Sequence, residues 1–281
     1  MKSFINRNLR LFFSQPKNVI LSLFSSMISL TLYLVFLKNN LLDSMSGIGN
    51  ADKILDLWLI GGILTITAMT TSFTGVSQSV YDREKGVLKD LSLTSLKSSE
   101  VSLSYLCSSV VISFVMQAAV YLLTYALFFI LDDLKIDVET SLILLPIFIL
   151  NSLVWSVFNL FVIKNIKNIK SLGRIEALLS TAIGFFAGAY IPLGVFSKSA
   201  YSIIKLTPAP YSSSLFREIL LKSPLEKIKM PTSEEFDFRK LLGIGIEFYG
   251  KLTSGYQNAL ILIFFCLICL IGGMIIDKIR K

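Results

Sequence analysis

Ile261-Leu-Ile-Phe-Phe-Cys266-Leu-Ile-Cys269-Leu-Ile271 is a run in which every side chain is apolar or a thiol, and the uncharged stretch around it extends from about 257 to 276. A helix rising about 1.5 Å per residue needs about 20 apolar residues to cross roughly 30 Å of hydrocarbon. Read outward from this stretch, similar uncharged runs at about 19–37, 57–80, 101–131, 141–163 and 175–196 predict five further spans, six in all. The first run is too long for a cleavable signal, and no small-residue cleavage pattern follows Leu37. Composition agrees with a bilayer rather than a soluble core: of 281 residues, 53% are hydrophobic and 16% charged, with a mean hydropathy of +0.69.

The same composition removes several chemistries. The chain has no histidine, which excludes His-based triads, His-ligated zinc and imidazole proton shuttles. Its three cysteines, Cys107, Cys266 and Cys269, all lie in apolar stretches, so the Cys266/Cys269 spacing reads as packing and not as a metal knuckle or redox pair. A phosphate loop is approached only at Gly245-Ile-Glu-Phe-Tyr-Gly250-Lys251-Leu252, where Leu252 stands in place of the magnesium-binding Ser or Thr. Nucleotide chemistry therefore has no site on this chain, and catalytic residues are expected to be absent.

Basic residues set the predicted orientation. With the amino terminus in the cytoplasm, the inside segments hold fifteen Lys and Arg residues against three (Lys38, Lys53, Lys135) in the two short outside loops, and the positive-inside rule then places both termini inside. The net charge of +8 reads as a topology and lipid-headgroup signal. A nucleic-acid interface would need a basic face with stacking aromatics, which is lacking. Residues 1–16 place Phe4, Ile5, Leu9, Phe12 and Phe13 on one helical arc, predicting an interfacial amphipathic helix that lies against membrane lipids. Residues 132–140 read as a solvated acidic turn. Five of the seven prolines fall within 192–231, so the segment 197–255 is expected to form short helices at the outer surface, a small cap between spans five and six.

Within the spans the polar residues are uncharged. Thr67, Thr70, Thr71, Thr74, Ser77 and Gln78 stripe span two, Ser109, Ser113, Gln117, Tyr121 and Thr124 stripe span three, and Asn151, Trp155 and Asn159 recur every four residues in span four. Such stripes either line a path for an amphipathic substrate, with Thr67, Thr70, Thr74, Gln78, Gln117, Asn151 and Asn159 as candidates, or act as interhelical hydrogen-bonding glue. A charge at mid-bilayer costs about 2.5–3.5 kcal/mol, and the spans are expected to hold none, Glu176 beside Arg174 coming closest. This argues against an ion-driven pump. Gly184-Phe-Phe-Ala-Gly188 is a GxxxG, a spacing that lets helices approach closely.

Two segments carry a family resemblance. Tyr81-Asp82-Arg83-Glu84-Lys85-Gly86-Val87-Leu88-Lys89-Asp90-Leu91, followed by Leu93-Thr94-Ser95 and Ser98-Ser99-Glu100, resembles the Glu-Arg-Glu-x-Gly-Thr-Leu loop of type-2 ATP-binding-cassette (ABC) exporter permeases. Gly188-Ala-Tyr-Ile-Pro192-Leu193, then Leu206-Thr207-Pro208-Ala209-Pro210-Tyr211 and Leu215-Phe216-Arg217, is similar to that family's glycine-proline break and outer segment. Asp82, Val87 and Thr207 depart from the usual Glu, Thr and Asn. With the interfacial helix and six spans, the resemblance covers nearly the whole chain, 1–281, as one permease domain. It implies a dimer with a second permease chain, same or related, and a cytoplasmic ATPase subunit that holds ATP and magnesium. The 82–100 loop would dock in that ATPase through Asp82, Arg83, Glu84, Gly86, Leu88 and Leu91, and nucleotide-driven closure would move spans one, two and five. Gly184, Gly188 and Pro192 would serve the dimer contact and gate. The cargo expected from uncharged stripes and many aromatics is a drug, lipid-like molecule or membrane-active peptide. A polysaccharide or lipid-linked glycan exporter and a non-transporting membrane sensor or scaffold are the alternatives. An intramembrane enzyme is disfavoured by the lack of any nucleophile-base pair.

Overall fold

The structure, a computed structural model, describes residues 1–45, 47–93, 97–228 and 231–279. Helix α1 (Lys2–Phe13) leads into α2 (Pro16–Leu32), which passes through a π turn (Tyr33–Leu37) into α3 (Lys38–Ser44). The long helices α4 (Ala51–Glu84), α6 (Ser98–Asp132) and α7 (Val138–Ile163) follow, with the short α5 (Val87–Ser92) between the first two. Beyond α8 (Ile169–Phe186) come α9 (Lys198–Ile204), α10 (Ala209–Leu220), α11 (Lys222–Glu226), α12 (Thr232–Leu242), a hairpin of β1 (Glu247–Phe248) and β2 (Lys251–Leu252), and α13 (Gly255–Ile279). The protein is thus an all-α membrane protein with five helices long and apolar enough to span: Pro16–Ser44, Ala51–Glu84, Ser98–Asp132, Val138–Ile163 and Gly255–Ile276.

Helix α4 is the centre. Its apolar stretch is buried throughout, enclosed by α2, α6, α7, α8 and α10, whereas α13, the most apolar span, is the most exposed. That inversion of the soluble rule follows from the solvent. Lipid tails are as apolar as leucine, so a helix gains nothing by hiding leucines and is buried instead where small and polar side chains permit close packing. Helix α4 supplies them: a Cβ added to Gly75 would lie 3.0 Å from the Ser109 backbone, and one added to Gly62 would lie 2.8 Å from the Ala189 Cβ. Hydroxyls complete the contacts. Ser109 Oγ and Ser113 Oγ of α6 donate to the Ser72 and Ala68 carbonyls of α4 at 2.9 and 3.2 Å.

Buried charge stands at both ends of α4, just beyond the predicted limits 57–80 of span two. Asp56 is completely buried and accepts hydrogen bonds from Tyr33 Oη at 2.7 Å and Lys38 Nζ at 3.0 Å; Lys38 also reaches Asp132 at 2.6 Å. Desolvating a carboxylate is tolerable only when it is paired and hydrogen-bonded, which this arrangement achieves. The π turn makes it possible. Residues 33 and 38 would sit about 140° apart around a regular α-helix, but the wider turn, closed by the Lys38 N–H to Tyr33 C=O bond, brings both onto one carboxylate. Asp132 belongs to this buried network, not to a solvated turn.

The fifth predicted span also differs. Helix α8 covers 169–186, with Lys170, Arg174 and Glu176 in its first half, so it lacks the uncharged length of the other spans. It stops at a Schellman motif: Gly188, at φ +63°, donates to the Phe185 carbonyl at 3.0 Å and Ala189 to the Gly184 carbonyl at 2.9 Å. Gly188 is therefore a helix terminator. The space over Gly184 is filled by the chain's own Tyr190, whose ring would lie 2.1 Å from an added Cβ. Pro192 is buried and opens a single 3-10 turn (Leu193–Val195). Helix α10, expected at the surface, is almost wholly buried against α4, α7 and α13. The glycine-rich stretch that resembles a phosphate loop is the β1–β2 hairpin, with Tyr249 and Gly250 both at positive φ as a two-residue primed turn requires.

Two left-handed glycines separate backbone strain from crowding. Gly86 (φ +81°) has nothing within 4 Å of an added Cβ, whereas at Gly188 that atom would lie 2.7 Å from Leu193 Cγ. Gly86→Ala should therefore lose about 1–2 kcal/mol from backbone strain alone, and Gly188→Ala clearly more. Thermal unfolding of the two variants in lipid nanodiscs, with the larger fall in Tm at 188, is the measurement.

Candidate functional site

At the α5 end of the bundle the sequence-predicted docking residues divide into two groups. Asp82 is 2% exposed and accepts four hydrogen bonds: from Arg7 Nη1 and Nη2 at 2.7 and 2.9 Å, from Gln78 Nε2 at 2.7 Å and from Tyr105 Oη at 2.6 Å. Its oxygens are occupied by α1, α4 and α6, so it anchors the amino-terminal helix and is not presented to solvent. The hydrogen bonds to Asp82 chiefly hold the Arg7 guanidinium above its ordinary pKa. Packing reinforces the anchor, with Phe4 edge-on to Tyr105 at 5.2 Å between centroids and Phe12 buried against Ile112 and Met116.

Arg83 and Glu84 point to the connection between α7 and α8. Arg83 Nη1 donates to the Ile166 carbonyl at 3.0 Å, and Glu84 Oε2 accepts from the Ile169 N–H at 2.5 Å, capping the first turn of α8 beside the Asn168 side-chain cap. A carboxylate at a helix N-terminus satisfies an orphan donor and opposes the helix dipole favourably. The end of α4 is thus tied to α1 through Asp82 and to α8 through its next two residues.

Past this knot the chain turns through left-handed Gly86 and projects as α5. Val87, Leu88 and Leu91 are half-buried, Lys89 and Asp90 are exposed, and Leu93, which follows the helix, is 88% exposed. Thr94 and Ser95 lie outside the described residues.

The candidate path residues have individual partners. Thr67 Oγ1 meets Ser26 Oγ of α2 at 2.8 Å, and Thr70 and Thr74 bond back to the Ile66 and Thr70 carbonyls of their own helix. Gln117 Nε2 donates to Ser152 Oγ at 2.6 Å, and Asn151 Nδ2 donates to Gln117 Oε1 at 2.9 Å, joining α6 to α7. Asn159 Nδ2 donates to the Met69 carbonyl and Ser72 Oγ at 2.9 and 2.8 Å, joining α7 to α4. Thr67, Gln117, Asn151 and Asn159 therefore join helices, whereas Thr70 and Thr74 bond within α4. Asn151 Oδ1, Trp155 Nε1 and Asn159 Oδ1, buried along one stripe of α7, have no hydrogen-bond partner among the described residues. Thr74 and Gln78 line a cavity of about 130 Å³ beside Asn8, Phe12, Tyr81 and Glu176.

Arg217 enters the sequence analysis only within the Leu215-Phe216-Arg217 resemblance, with no role of its own. It is completely buried in α10 without a carboxylate partner among the described residues. Its guanidinium donates from Nε to the Trp58 carbonyl at 3.1 Å and from Nη2 to the Ala187 and Gly188 carbonyls at 3.0 and 2.9 Å, and it stacks over Trp58 at 5.0 Å. The last carbonyls of α8 are unsatisfied by their own helix and carry the negative end of its dipole, so they replace a counterion. Glycines make the room: added Cβ atoms at Gly61, Gly62, Gly188 and Gly243 would lie 2.9–3.3 Å from Arg217 side-chain atoms. The Gly61–Gly62 doublet inside a span is a further sequence signal of this close approach.

Asp82→Ala would strand the Arg7, Gln78 and Tyr105 donors. Loss of a buried partner of this kind costs about 3–5 kcal/mol. The expected outcome is a correspondingly lower Tm and several-fold faster tryptic cleavage at Arg7 and Arg10 as α1 comes away, with Asp82→Asn intermediate on both measures.

No curated protein matches the chain. A family model does, that of the ABC-2 type transporter, over residues 1–221, from the amino-terminal helix through α5 and the Schellman turn to the end of α10. The match contains the Asp82 anchor, the projecting α5 and the Arg217 cradle, and it covers well over half of the sequence: this chain belongs to the ABC-2 type transporter family, as a membrane-spanning permease component.

Proposed function

We propose that this chain is the membrane subunit of an ATP-driven exporter of the plasma membrane, with both termini cytoplasmic and α8 as a sixth span. ATP and magnesium belong to a separate cytoplasmic ATPase, and the chain pairs with a second permease chain, same or related. The observation that supports the reading is that α5 extends past the Asp82 knot with Lys89 and Asp90 exposed and Leu93 88% exposed. A groove in an ATPase would cover Leu88, Leu91 and Leu93, while Lys89 and Asp90 meet its charged rim.

A push on α5 has two short routes into the bundle. The Asp82 bonds lead to α1 and α6, and the Arg83 and Glu84 bonds lead to the start of α8. At the far end of α8, the Arg217 guanidinium grips the carbonyls at its break. Displacement of α8 would thereby be felt at α10 and α4, the elements that would close the outward side. Packed interfaces of this kind are bistable, which suits a two-state cycle.

Exposed Ile20, Phe24, Met27 and Ile28 on α2 form an apolar face suited to the second permease chain or to lipid. Polar but uncharged groups with unused hydrogen-bonding atoms, Asn151 and Asn159 among them, suit an amphipathic or hydrophobic cargo better than a polyanionic glycan.

Leu93→Glu tests the coupling role without touching the fold. When the chain is purified with its co-expressed genomic neighbours, an ATPase should co-purify with the wild type, and its recovery should fall at least tenfold for Leu93→Glu and for Gly86→Pro, with the Tm of Leu93→Glu unchanged. A stable chain that retains no ATPase in either form would sink the exporter reading.

A further inference from the structure

The cavity at Thr74 and Gln78 has a charge character opposite to that of the chain. In a protein of net charge +8, its described lining contains no lysine or arginine, and its single formal charge is Glu176. The cavity lies between α1, α2, α4, α6 and α8. Thr74 stands eight residues before Asp82, about 12 Å along the helix, so the cavity sits at the depth of one leaflet's headgroup and upper-chain region. Glu176 is half-buried, and its carboxylate makes no hydrogen bond or ion pair among the described residues. Arg174, exposed and two residues away on the helix, faces a different direction. An unpaired carboxylate held partly out of water is costly to keep unless a cation joins it.

The rest of the lining suits that cation. Phe12 and Tyr81 supply aromatic rings, which attract ammonium groups through their faces, and Thr74, Asn18 and Gln78 supply acceptor oxygens for N–H donors. Leu11 and Leu21 continue the wall with apolar surface, Leu21 being 68% exposed on the outside of α2, so the cavity joins a lipid-facing side of the bundle. At about 130 Å³ it accommodates a head group and not a whole amphiphile. We propose that this cavity is a recognition site for the ammonium head of a cationic amphiphile that enters from the leaflet with its hydrocarbon outside, Glu176 being the selecting charge. The inference rests on the exporter reading for its purpose, since it names the cargo's chemical class. The binding site itself is testable without the ATPase.

The probes are dodecylammonium and dodecyl sulfate, equal in chain and opposite in charge, offered below micellar concentration to the full chain in phosphatidylglycerol nanodiscs. Bound probe is counted by native mass spectrometry and corrected with empty discs. Wild type should retain the ammonium probe and not the sulfate, Glu176→Gln should weaken retention at least tenfold, and Glu176→Asp should keep part of it. The Tm of Glu176→Gln should not fall below the wild-type value, because the carboxylate has no hydrogen bond to lose and its unpaired charge is relieved. Adding phosphatidylethanolamine separates the two sources of such a head: displacement of the probe assigns the site to an ammonium-bearing lipid, and persistence assigns it to cargo, both within the proposal. Equal retention by wild type and Glu176→Gln, or equal retention of the two probes, would overturn it. If an ATPase still co-purifies in that case, the exporter reading stands and only the cargo class falls. If the probe binds as expected and no ATPase is retained, the site stands and the exporter reading falls.

Discussion

A helix surrounded by protein on every side, with a buried carboxylate near each end, is the constraint on which this architecture rests. Asp56 and Asp82 lie 26 residues apart on α4, about 39 Å at the usual rise, close to the thickness of a bilayer with its interfaces. Each accepts from one basic side chain contributed by an earlier helix and from one tyrosine hydroxyl: Lys38 and Tyr33 at one end, Arg7 and Tyr105 at the other. In lipid the apolar effect does not draw helices together, so position must be set by close packing and by polar contacts whose loss is expensive. The two carboxylates set the height and rotation of α1, α2 and α6 against α4, and the small residues between them set the separation.

This arrangement gives the α5 end a mechanical character. A docking helix rooted in a flexible loop would absorb a push, but α5 leaves α4 immediately after three consecutive residues that are bonded to three different elements. Asp82 is therefore an anchor between α1, α4 and α6, held within the bundle by its four hydrogen bonds. Arg217 plays the matching part at the opposite end, where a guanidinium held by three carbonyls and stacked over Trp58 ties a buried short helix to the break in α8 and to the wall of α4. A neutral side chain there could not satisfy three carbonyls from two elements at once, and a carboxylate partner would compete with them.

Several expectations failed for related reasons. The spacing of Gly184 and Gly188 fits a helix-packing motif, but one glycine ends the helix and the other is covered by Tyr190, since a φ of +63° is incompatible with continuing α8. Lys38 and Asp132 counted as loop charges because a loop and a helix end look alike in composition. Residues 197–255, dense in prolines, read as surface; yet Pro208 and Pro210 stand at the start of α10, where proline is tolerated, and the helix that follows is apolar and serine-rich enough to be enclosed.

The sequence by itself determined the solvent, the helical class, five of the spanning helices and a helix at the amino terminus. These depend on runs of residues of one kind, and the cost of exposing a polar backbone to hydrocarbon permits few alternatives. Only the tertiary structure decided which polar residues pair with which. Arg7 with Asp82 are 75 positions apart, Gln117 with Asn151 34, and Arg217 with Trp58 159. No local pattern encodes such partners, because a buried charge is placed by whichever groups the packing brings within three ångströms of it. The same holds for Glu176: in sequence it was the charge, beside Arg174, that comes closest to lying within a span, and only the packing of five helices placed it in a cavity whose described lining holds no lysine or arginine.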